Sequence, residues 1–325
     1  MRNKVLSLLI LLVLLANAAC APQAAPAAAA IPELAPETAP TVTEAPAAEP
    51  TTAPEPRTLT VLAAASLTEA FTELGETFEA QNPGVTVSFS FAGSQQLAQQ
   101  LDQGAPADVF ASASKKYMDA AVTSGRVAQT APQIFVTNRL VVIFPKDNPA
   151  GLMELKDIAK AGLKLDLADV SVPVGQYSLD FLDKASQDEA FGAVFKDDVL
   201  KNVVSYENNV KAVVTKVALG EADAGIVYVS DITANVVDRV GRLDIPDALN
   251  TIANYPIATI SDSQYPDLAT AFVALVLSPE GQQVLARYNF IPAVTGTTDT
   301  PNSFVVRFEK ARAGCSGWQG PLRGN

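Results

Sequence analysis

Hydroxyl groups and small residues occur together at two points where a strand-like run is followed by a helical pattern. Ser66 ends the run "TVLAAAS" and Ser94 ends the run "SFSFAGS", and apolar residues at helical spacing follow each. Glu69 lies three residues after Ser66, which is the spacing of a capping box, so we predict that Ser66 caps a helix. The first-turn N–H groups of a helix have no partner within it, and the helix dipole adds positive potential there. Each turn can therefore hold an anion, although such a serine can equally do no more than cap its helix.

Three further positions in the second half of the chain have the same character. Val174 lies in the turn "VPVGQYS", Val210 begins a helix that Asn208 or Asn209 caps, and Tyr228 closes the strand "AGIVY" with its phenol free to donate. Ligands of open α/β sheets bind beyond the carboxyl ends of the strands. We therefore predict one shared anion site formed by Ser66, Ser94, Val174, Val210 and Tyr228.

The composition restricts the chemistry that this site could perform. The 325 residues include no histidine, which excludes a Ser-His-Asp or Cys-His enzyme and removes the commonest metal ligand. No glycine-rich phosphate loop and no metal-spaced cluster stands in the sequence, so we expect a binding protein without a cofactor. Catalysis by carboxylates alone remains open, and a pair of acidic residues in the cleft would be its mark. The net charge of −12 argues against nucleic acid and anionic lipid as partners.

Strands alternate with helical patterns through the middle of the chain, which predicts an α/β fold with parallel sheets. The strand-like segments are "RTLTVLAAA", "VTVSFSFAG", "ADVFASA", "LVVIFPK", "LKLDLADV", "VVSY" and "AGIVYVS". A helical pattern from Tyr265 to Tyr288 is interrupted at Pro279, where we expect a second helix to begin behind Ser278.

The beginning of the chain has the three parts of a secretion signal. Arg2 and Lys4 precede a short apolar run, and small residues lead to Cys20, as in a bacterial lipoprotein signal. We predict a signal peptide over residues 1–20 and a lipid on Cys20, with cleavage after Ala18 as the alternative because Asn17 departs from the usual pattern. The protein would then be extracytoplasmic and anchored to a membrane. Residues 21–57 are mostly Ala, Pro, Thr and Glu, which predicts a disordered tether, and residues 293–325 form a tail of unknown role in which Cys315 has no predicted partner.

Residues 58–292 resemble the periplasmic molybdate-binding proteins of ATP-driven importers. The segments that carry the resemblance occur in order: "VLAAASLTEAF", "FAGSQQLAQQL", "GAPADVFASASKKYMD", "VPVGQYS", "GIVYVSD", "YPIA" and "SPEGQQVLARYNF". The resemblance implies a two-lobed periplasmic-binding-protein-like fold of type II, with two α/β lobes joined by two crossing strands. We place the crossings near residues 138–142 and 255–258, so that lobe one is 58–138 with 257–292 and lobe two is 139–256.

The resemblance also assigns a role to each predicted site residue. Ser66 and Ser94 would give hydroxyl and backbone donors, Val174 and Val210 backbone amides, and Tyr228 its phenol, all to one molybdate or tungstate ion. Gly93 stands where the family has a serine, and Val174 stands where it usually has an alanine. Valine at position 210, where some relatives have an acidic ligand, favours a plain tetrahedral oxyanion.

The partners implied are therefore a molybdate oxyanion and the membrane permease of an ABC importer, and we expect a monomer. Three alternatives remain open at this point. They are a binding protein for sulfate or another ligand of the same superfamily, an enzyme built on the same fold, and a purely structural surface lipoprotein.

Overall fold

The computed structural model of the chain describes residues 56–293. The predicted signal peptide with Cys20, the tether up to residue 55 and the tail from residue 294 lie outside the described residues.

Strands and helices alternate through much of the described range, which confirms the predicted α/β class. The strands are β1 (Arg57–Ala64), β2 (Val85–Ala92), β3 (Val109–Ala111), β4 (Gln133–Asn138), β5 (Leu140–Pro145), β6 (Leu165–Ala168), β7 (Val203–Glu207), β8 (Ala224–Tyr228), β9 (Val240–Asp244), β10 (Ala253–Thr259) and β11 (Ile291–Pro292). The α-helices are α1 (Thr68–Gln81), α2 (Ser94–Asp102), α3 (Lys115–Thr123), α4 (Pro173–Gln187), α5 (Phe195–Lys201), α6 (Val210–Ala218), α7 (Pro266–Leu277) and α8 (Pro279–Arg287).

The strands form two sheets. The first has the order β11-β4-β10-β3-β1-β2 and the second has the order β7-β6-β8-β5-β9. Parallel pairing, as predicted, joins β1 to β2 and β3, and β6 to β7 and β8. The prediction of parallel sheets is wrong for β5 and β10. Strand β5 runs antiparallel to β8 and β9, and β10 runs antiparallel to β3 and β4. The reason is that β5 enters the second sheet at its carboxyl edge, where Leu140 pairs with Tyr228 at the end of β8.

The chain passes between the two sheets twice. The first passage is at residue 139, between Asn138 at the end of β4 and Leu140 at the start of β5, inside the predicted range. The return lies between β9 and β10, and β10 is hydrogen-bonded in the first sheet from Ala253 onward, where Ala253 pairs with Asn138. Residues 253–256 therefore belong to the first sheet, ahead of the expected limit at 257, and the exact limits of the two lobes remain a prediction.

The helices cover the sheets with the apolar faces that their spacing predicts. In α1 the residues Phe71, Leu74 and Phe78 are buried, and the rings of Phe71 and Phe78 pack edge-on against Phe272 of α7. Burying a side chain of this size stabilises the fold by about 1.5–3 kcal/mol relative to leaving it exposed.

The predicted break before Pro279 is present. The Ser278 hydroxyl accepts a hydrogen bond from the Gly281 N–H at 3.1 Å and caps α8, which turns by 62° from α7. Over residues 56–293 no single helix has the length and hydropathy of a membrane span. Among these residues only α7 and α8, taken together as a bent pair, have that length and hydropathy.

Candidate functional site

One cavity brings the five predicted site residues together. It lies where the carboxyl ends of β1, β2 and β8 meet the first turns of α4 and α6, and the empty space among its residues, open solvent included, is about 210 Å³. Its lining consists of Ala64, Ala65, Ser66, Ala92, Gly93, Ser94, Ala113, Val172, Pro173, Val174, Asn209, Val210 and Tyr228. Two of the predicted residues follow strands of the first sheet and three belong to elements of the second, so both halves of the fold face the same space.

The lining of the cavity is uncharged. Among residues 56–293 no lysine, arginine, aspartate or glutamate lines this cavity, and the same range contains no cluster of acidic or cysteine side chains that could hold a metal ion. The polar groups available to a ligand are hydroxyls, one amide side chain and backbone N–H groups. Such a wall can hold an anion by hydrogen bonds and offers no carboxylate to repel it.

Ser66 lies in the cavity wall, but it does not cap a helix. Residues Ala65–Leu67 form a short 3-10 turn, and neither this turn nor α1 has a side-chain cap. The Ser66 hydroxyl lies 2.9 Å from the hydroxyl of Tyr255 instead. The predicted capping box is therefore wrong, because the chain tightens for one turn before α1 begins and the buried Tyr255 takes the hydroxyl.

Ser94 is the first residue of α2, as the sequence predicts for a helix start. Its side chain does not cap the helix either, and its hydroxyl oxygen accepts a hydrogen bond from the Ala113 N–H at 2.9 Å. The preceding Gly93 lies against the second half of the fold. A Cβ at Gly93 would be 2.5 Å from the carbonyl oxygen of Asn208, so the two halves could not approach this closely with the serine that the family resemblance places there.

Val174 is buried in the first turn of α4, where Pro173 starts the helix. The first-turn N–H groups of α4 have no acceptor within the helix. Gly175 allows the helix to begin so close to the strand edge, since a Cβ there would be 2.1 Å from the carbonyl oxygen of Asp169 and 2.5 Å from that of Ala168. The close approach brings the amide end of α4 to the cavity.

Val210 is the first residue of α6. The predicted cap is present and belongs to Asn209, whose side chain accepts a hydrogen bond from the Ala212 N–H at 3.1 Å. The neighbouring Lys211 does not line the cavity, and its ammonium group pairs with Glu69 of α1 at 2.8 Å. Glu69 therefore pairs with a residue of the opposite half of the fold and takes no part in capping α1.

Tyr228 ends β8 with its ring in the cavity wall and is 1% exposed. Its phenol oxygen is buried, and the described residues provide it with no hydrogen-bond partner. Burial raises the pKa of Tyr228 well above its usual value, so the group stays protonated and can donate. A buried donor without a partner is costly, and a bound anion would satisfy it.

Sequence reasoning missed the residues that support this wall. Tyr255 of β10, Asn138 of β4 and Ser230 are all buried and are joined to one another or to Ser66 by hydrogen bonds. The tyrosine stands in the segment "YPIA", which carried part of the family resemblance, but its spacing to Ser66 of 189 residues gives no local signal.

Contacts across the cavity hold the two halves of the fold together. The Gln95 side-chain amide donates to the carbonyl oxygen of Asn208 at 2.8 Å. Within the second half of the fold, Lys211 also lies 3.6 Å from the buried carboxylate of Asp231. Burial raises the pKa of Asp231 to about 6, although the Lys211 charge acts to lower it. The Gln95–Asn208 hydrogen bond and the Lys211–Glu69 pair therefore join the two halves of the fold beside the cavity.

Comparisons with known proteins agree with this geometry. The family model described as "Bacterial extracellular solute-binding protein" matches residues 59–291. The chain is 39% identical to the molybdate-binding protein ModA of Mycobacterium bovis over 234 residues, which are 72% of this chain and 84% of that protein.

Two solved structures show the same fold at lower identity. The periplasmic molybdate-binding protein of Azotobacter vinelandii superposes with a TM-score of 0.62 at 19% identity, over 72% of this chain and 99% of that one. The sulfate-binding protein SubI of Mycobacterium tuberculosis superposes with a TM-score of 0.66 at 18% identity, over 74% of this chain and 88% of that one. At these identities the two structures support the two-lobed fold and do not distinguish between their ligands.

Proposed function

Because the chain belongs to the family of bacterial extracellular solute-binding proteins, we propose that it captures molybdate outside the cytoplasm and delivers it to the permease of an ABC importer. The observation that carries the proposal is the uncharged cavity into which hydroxyl and backbone donors converge, with the Tyr228 phenol buried there without a protein partner. The 39% identity to a molybdate-binding protein supports molybdate as the ligand.

The five residues bind the ion through neutral donors. Ser66, Ser94 and Tyr228 donate from hydroxyls, and Val174 and Val210 donate from first-turn amides of α4 and α6. Each hydrogen bond to a charged group contributes about 1.5–3 kcal/mol, so five such bonds can hold a divalent anion without any cationic side chain. The helix dipoles add positive potential at the same points.

Ligand binding stabilises the closed form because the donors belong to both halves of the fold. A ligand shifts a conformational equilibrium only by its different affinity for the two states. An ion that is held by Ser66 and Ser94 from one side and by Val174, Val210 and Tyr228 from the other has its full set of bonds only after closure. The closed form is then what the permease recognises, and the protein acts as a monomeric carrier and not as an enzyme.

Tungstate has the same charge and tetrahedral shape as molybdate and binds the same donors. Sulfate is smaller, so it does not reach all donors of a cavity shaped for the larger ions. Hydrogen phosphate carries a proton that needs an acceptor. Because the five proposed ligand residues provide donors instead, hydrogen phosphate binds more weakly than molybdate.

Thermal-shift and calorimetric titrations of the purified full chain with molybdate, tungstate, sulfate and phosphate test the proposal. We expect molybdate and tungstate to raise the melting temperature at micromolar concentrations and sulfate and phosphate to do so only weakly. A larger shift with sulfate would assign the chain to sulfate instead, and no shift with any of the four ions would overturn the oxyanion site.

The carrier is held at the cell envelope by a lipid on Cys20, and the residues between Cys20 and β1 act as a tether that keeps the binding domain away from the membrane. This part of the proposal is supported by the basic start, the apolar run and the small residues before Cys20. It is independent of the ligand and has its own test below.

A further inference from the structure

A chain of hydrogen bonds leads from the first passage between the sheets to the cavity. The Arg139 N–H donates to Asn138 Oδ1 at 2.9 Å. Because a backbone N–H can only donate, this contact identifies the oxygen of the Asn138 amide and leaves its nitrogen as a donor. That nitrogen lies 2.7 Å from the Ser230 hydroxyl and 3.4 Å from the Tyr255 hydroxyl.

The direction of the next hydrogen bond follows from the same reasoning. The Tyr255 hydroxyl has two side-chain hydrogen-bond partners among the described residues. They are the Asn138 nitrogen and Ser66 Oγ. The amide nitrogen cannot accept a hydrogen bond, so of these two atoms only Ser66 Oγ, 2.9 Å away, can accept the phenol proton. Tyr255 is fully buried, and this burial raises the pKa of its phenol far above the usual value, so the proton is always present.

We propose that Tyr255 and Asn138 are positioning residues that fix the Ser66 hydroxyl as a donor toward the cavity, and thereby make the site selective for fully deprotonated oxyanions. The inference rests on the proposed function, because it concerns the polarity of the same anion site. With one lone pair occupied by the phenol proton, Ser66 directs its own hydrogen away from Tyr255 and toward the ligand.

Ser94 shows the same arrangement with a backbone partner. Its oxygen accepts from the Ala113 N–H at 2.9 Å, so its own hydrogen is also free to point into the cavity. Each serine of the wall therefore presents its hydrogen to the cavity, while the protein occupies one of the two lone pairs of its oxygen. An anion such as hydrogen phosphate, which must donate its proton, meets the hydrogens of these two hydroxyls where it needs an acceptor. A hydroxyl without such a partner would turn and accept.

The test is Tyr255→Phe in the full chain, titrated with molybdate and with phosphate at neutral pH. The variant keeps the aromatic ring and removes the proton that holds Ser66. We expect molybdate to bind about three- to tenfold more weakly, because Ser66 is free to turn. We expect phosphate to bind no more weakly than in the parent, or more tightly, so that the ratio of molybdate to phosphate affinity falls.

A second variant, Asn138→Asp, changes the direction of the same chain of hydrogen bonds. Asn138→Asp keeps the acceptor for the Arg139 N–H and replaces the amide donor with a carboxylate, which accepts the phenol proton and draws it away from Ser66. The same fall in the affinity ratio is expected. If Tyr255→Phe does not fold, this variant decides the question alone.

Two controls separate positioning from a general structural effect. Ser66→Ala removes the hydroxyl, and in that background Tyr255→Phe should change molybdate affinity by less than twofold. Tyr288→Phe deletes a phenol hydroxyl outside the cavity and should leave both affinities unchanged. If the parent binds molybdate but the ratio of molybdate to phosphate affinity stays constant in Tyr255→Phe and in Asn138→Asp, the positioning role is overturned while the proposed function stands. If the parent itself binds no molybdate, it is the proposed function that fails.

Discussion

Tyr228→Phe is the sharpest perturbation of the proposed site, because it removes one oxygen from the cavity and little else. The ring of Tyr228 packs edge-on against Tyr255 at 5.8 Å between centroids, and phenylalanine keeps this contact. The deleted hydroxyl is buried and has no partner among the described residues, so no hydrogen bond within the protein is lost. The variant therefore separates the ligand role of the phenol from its packing role.

The expected effects on binding and on stability have opposite signs. Loss of one donor to a charged ligand costs about 1.5–3 kcal/mol, which weakens molybdate binding roughly ten- to a hundredfold. Without ligand, a buried hydroxyl that lacks a partner costs about 1–3 kcal/mol, so its removal does not destabilise the closed protein and can stabilise it. For a domain of this size each 1 kcal/mol raises the melting temperature by about 2–4 °C.

Calorimetry and thermal melts measure both quantities on the same samples. At a molybdate concentration of about 100 times the dissociation constant of the parent, the ligand stabilises the parent by about 2.7 kcal/mol. A variant that binds tenfold more weakly gains about 1.4 kcal/mol at the same concentration. Tyr288→Phe, in which the deleted hydroxyl lies outside the cavity, should behave as the parent. A dissociation constant within twofold of the parent, together with a lower melting temperature without ligand, would refute the reasoning.

Three further predictions concern the anchor, the closure and the pH dependence. Cys20→Ser should move the protein from the membrane fraction to the supernatant, since the lipid cannot be attached. Glu69→Gln should weaken molybdate binding about two- to tenfold, because the partly buried pair with Lys211 joins the two halves only in the closed form, and titration measures it. Burial and the Glu207 charge raise the pKa of the buried Asp166 to about 7 from the ordinary value of 3.8. The stability that its protonated form contributes is therefore fully present below pH 3.8 and is lost as the pH rises through 7. Asp166→Asn should therefore stabilise the chain more at pH 8 than at pH 5, by on the order of 2 kcal/mol in denaturant melts.

Matched variants make these three predictions decisive. Cys315→Ser should leave the membrane association unchanged, and retention of the Cys20 variant in the membrane fraction would contradict lipidation. Asp267→Asn breaks an exposed pair with Arg57 within the first half of the fold and should not alter affinity, so an equal loss in both acidic variants would argue against closure. An Asp166→Asn variant whose advantage is the same at pH 5 and pH 8 would mean that the group does not titrate in this range.

Local patterns in the sequence determined the class of the fold and the starts of α2, α6 and α8. Ser278 before Pro279 and Asn209 before Val210 follow from capping, and Ser94 at the start of α2 follows from helical spacing. Both signals involve residues within one turn. The alternation of strand and helix predicted the α/β class in the same way. The lack of histidine and the run of small residues at strand ends excluded the common catalytic sites and indicated a place for an anion.

Contacts between distant residues were decided only by the tertiary structure. The pattern around Ser66 predicted a cap with Glu69, yet Ser66 faces Tyr255 across 189 residues and Glu69 faces Lys211 across 142. The antiparallel direction of β5 and β10 follows from how the chain passes between two sheets, which the local spacing of apolar residues does not encode. Hydrogen-bond direction depends on every neighbour of a hydroxyl at once, so the polarity of the cavity wall exists only when both sheets are in place.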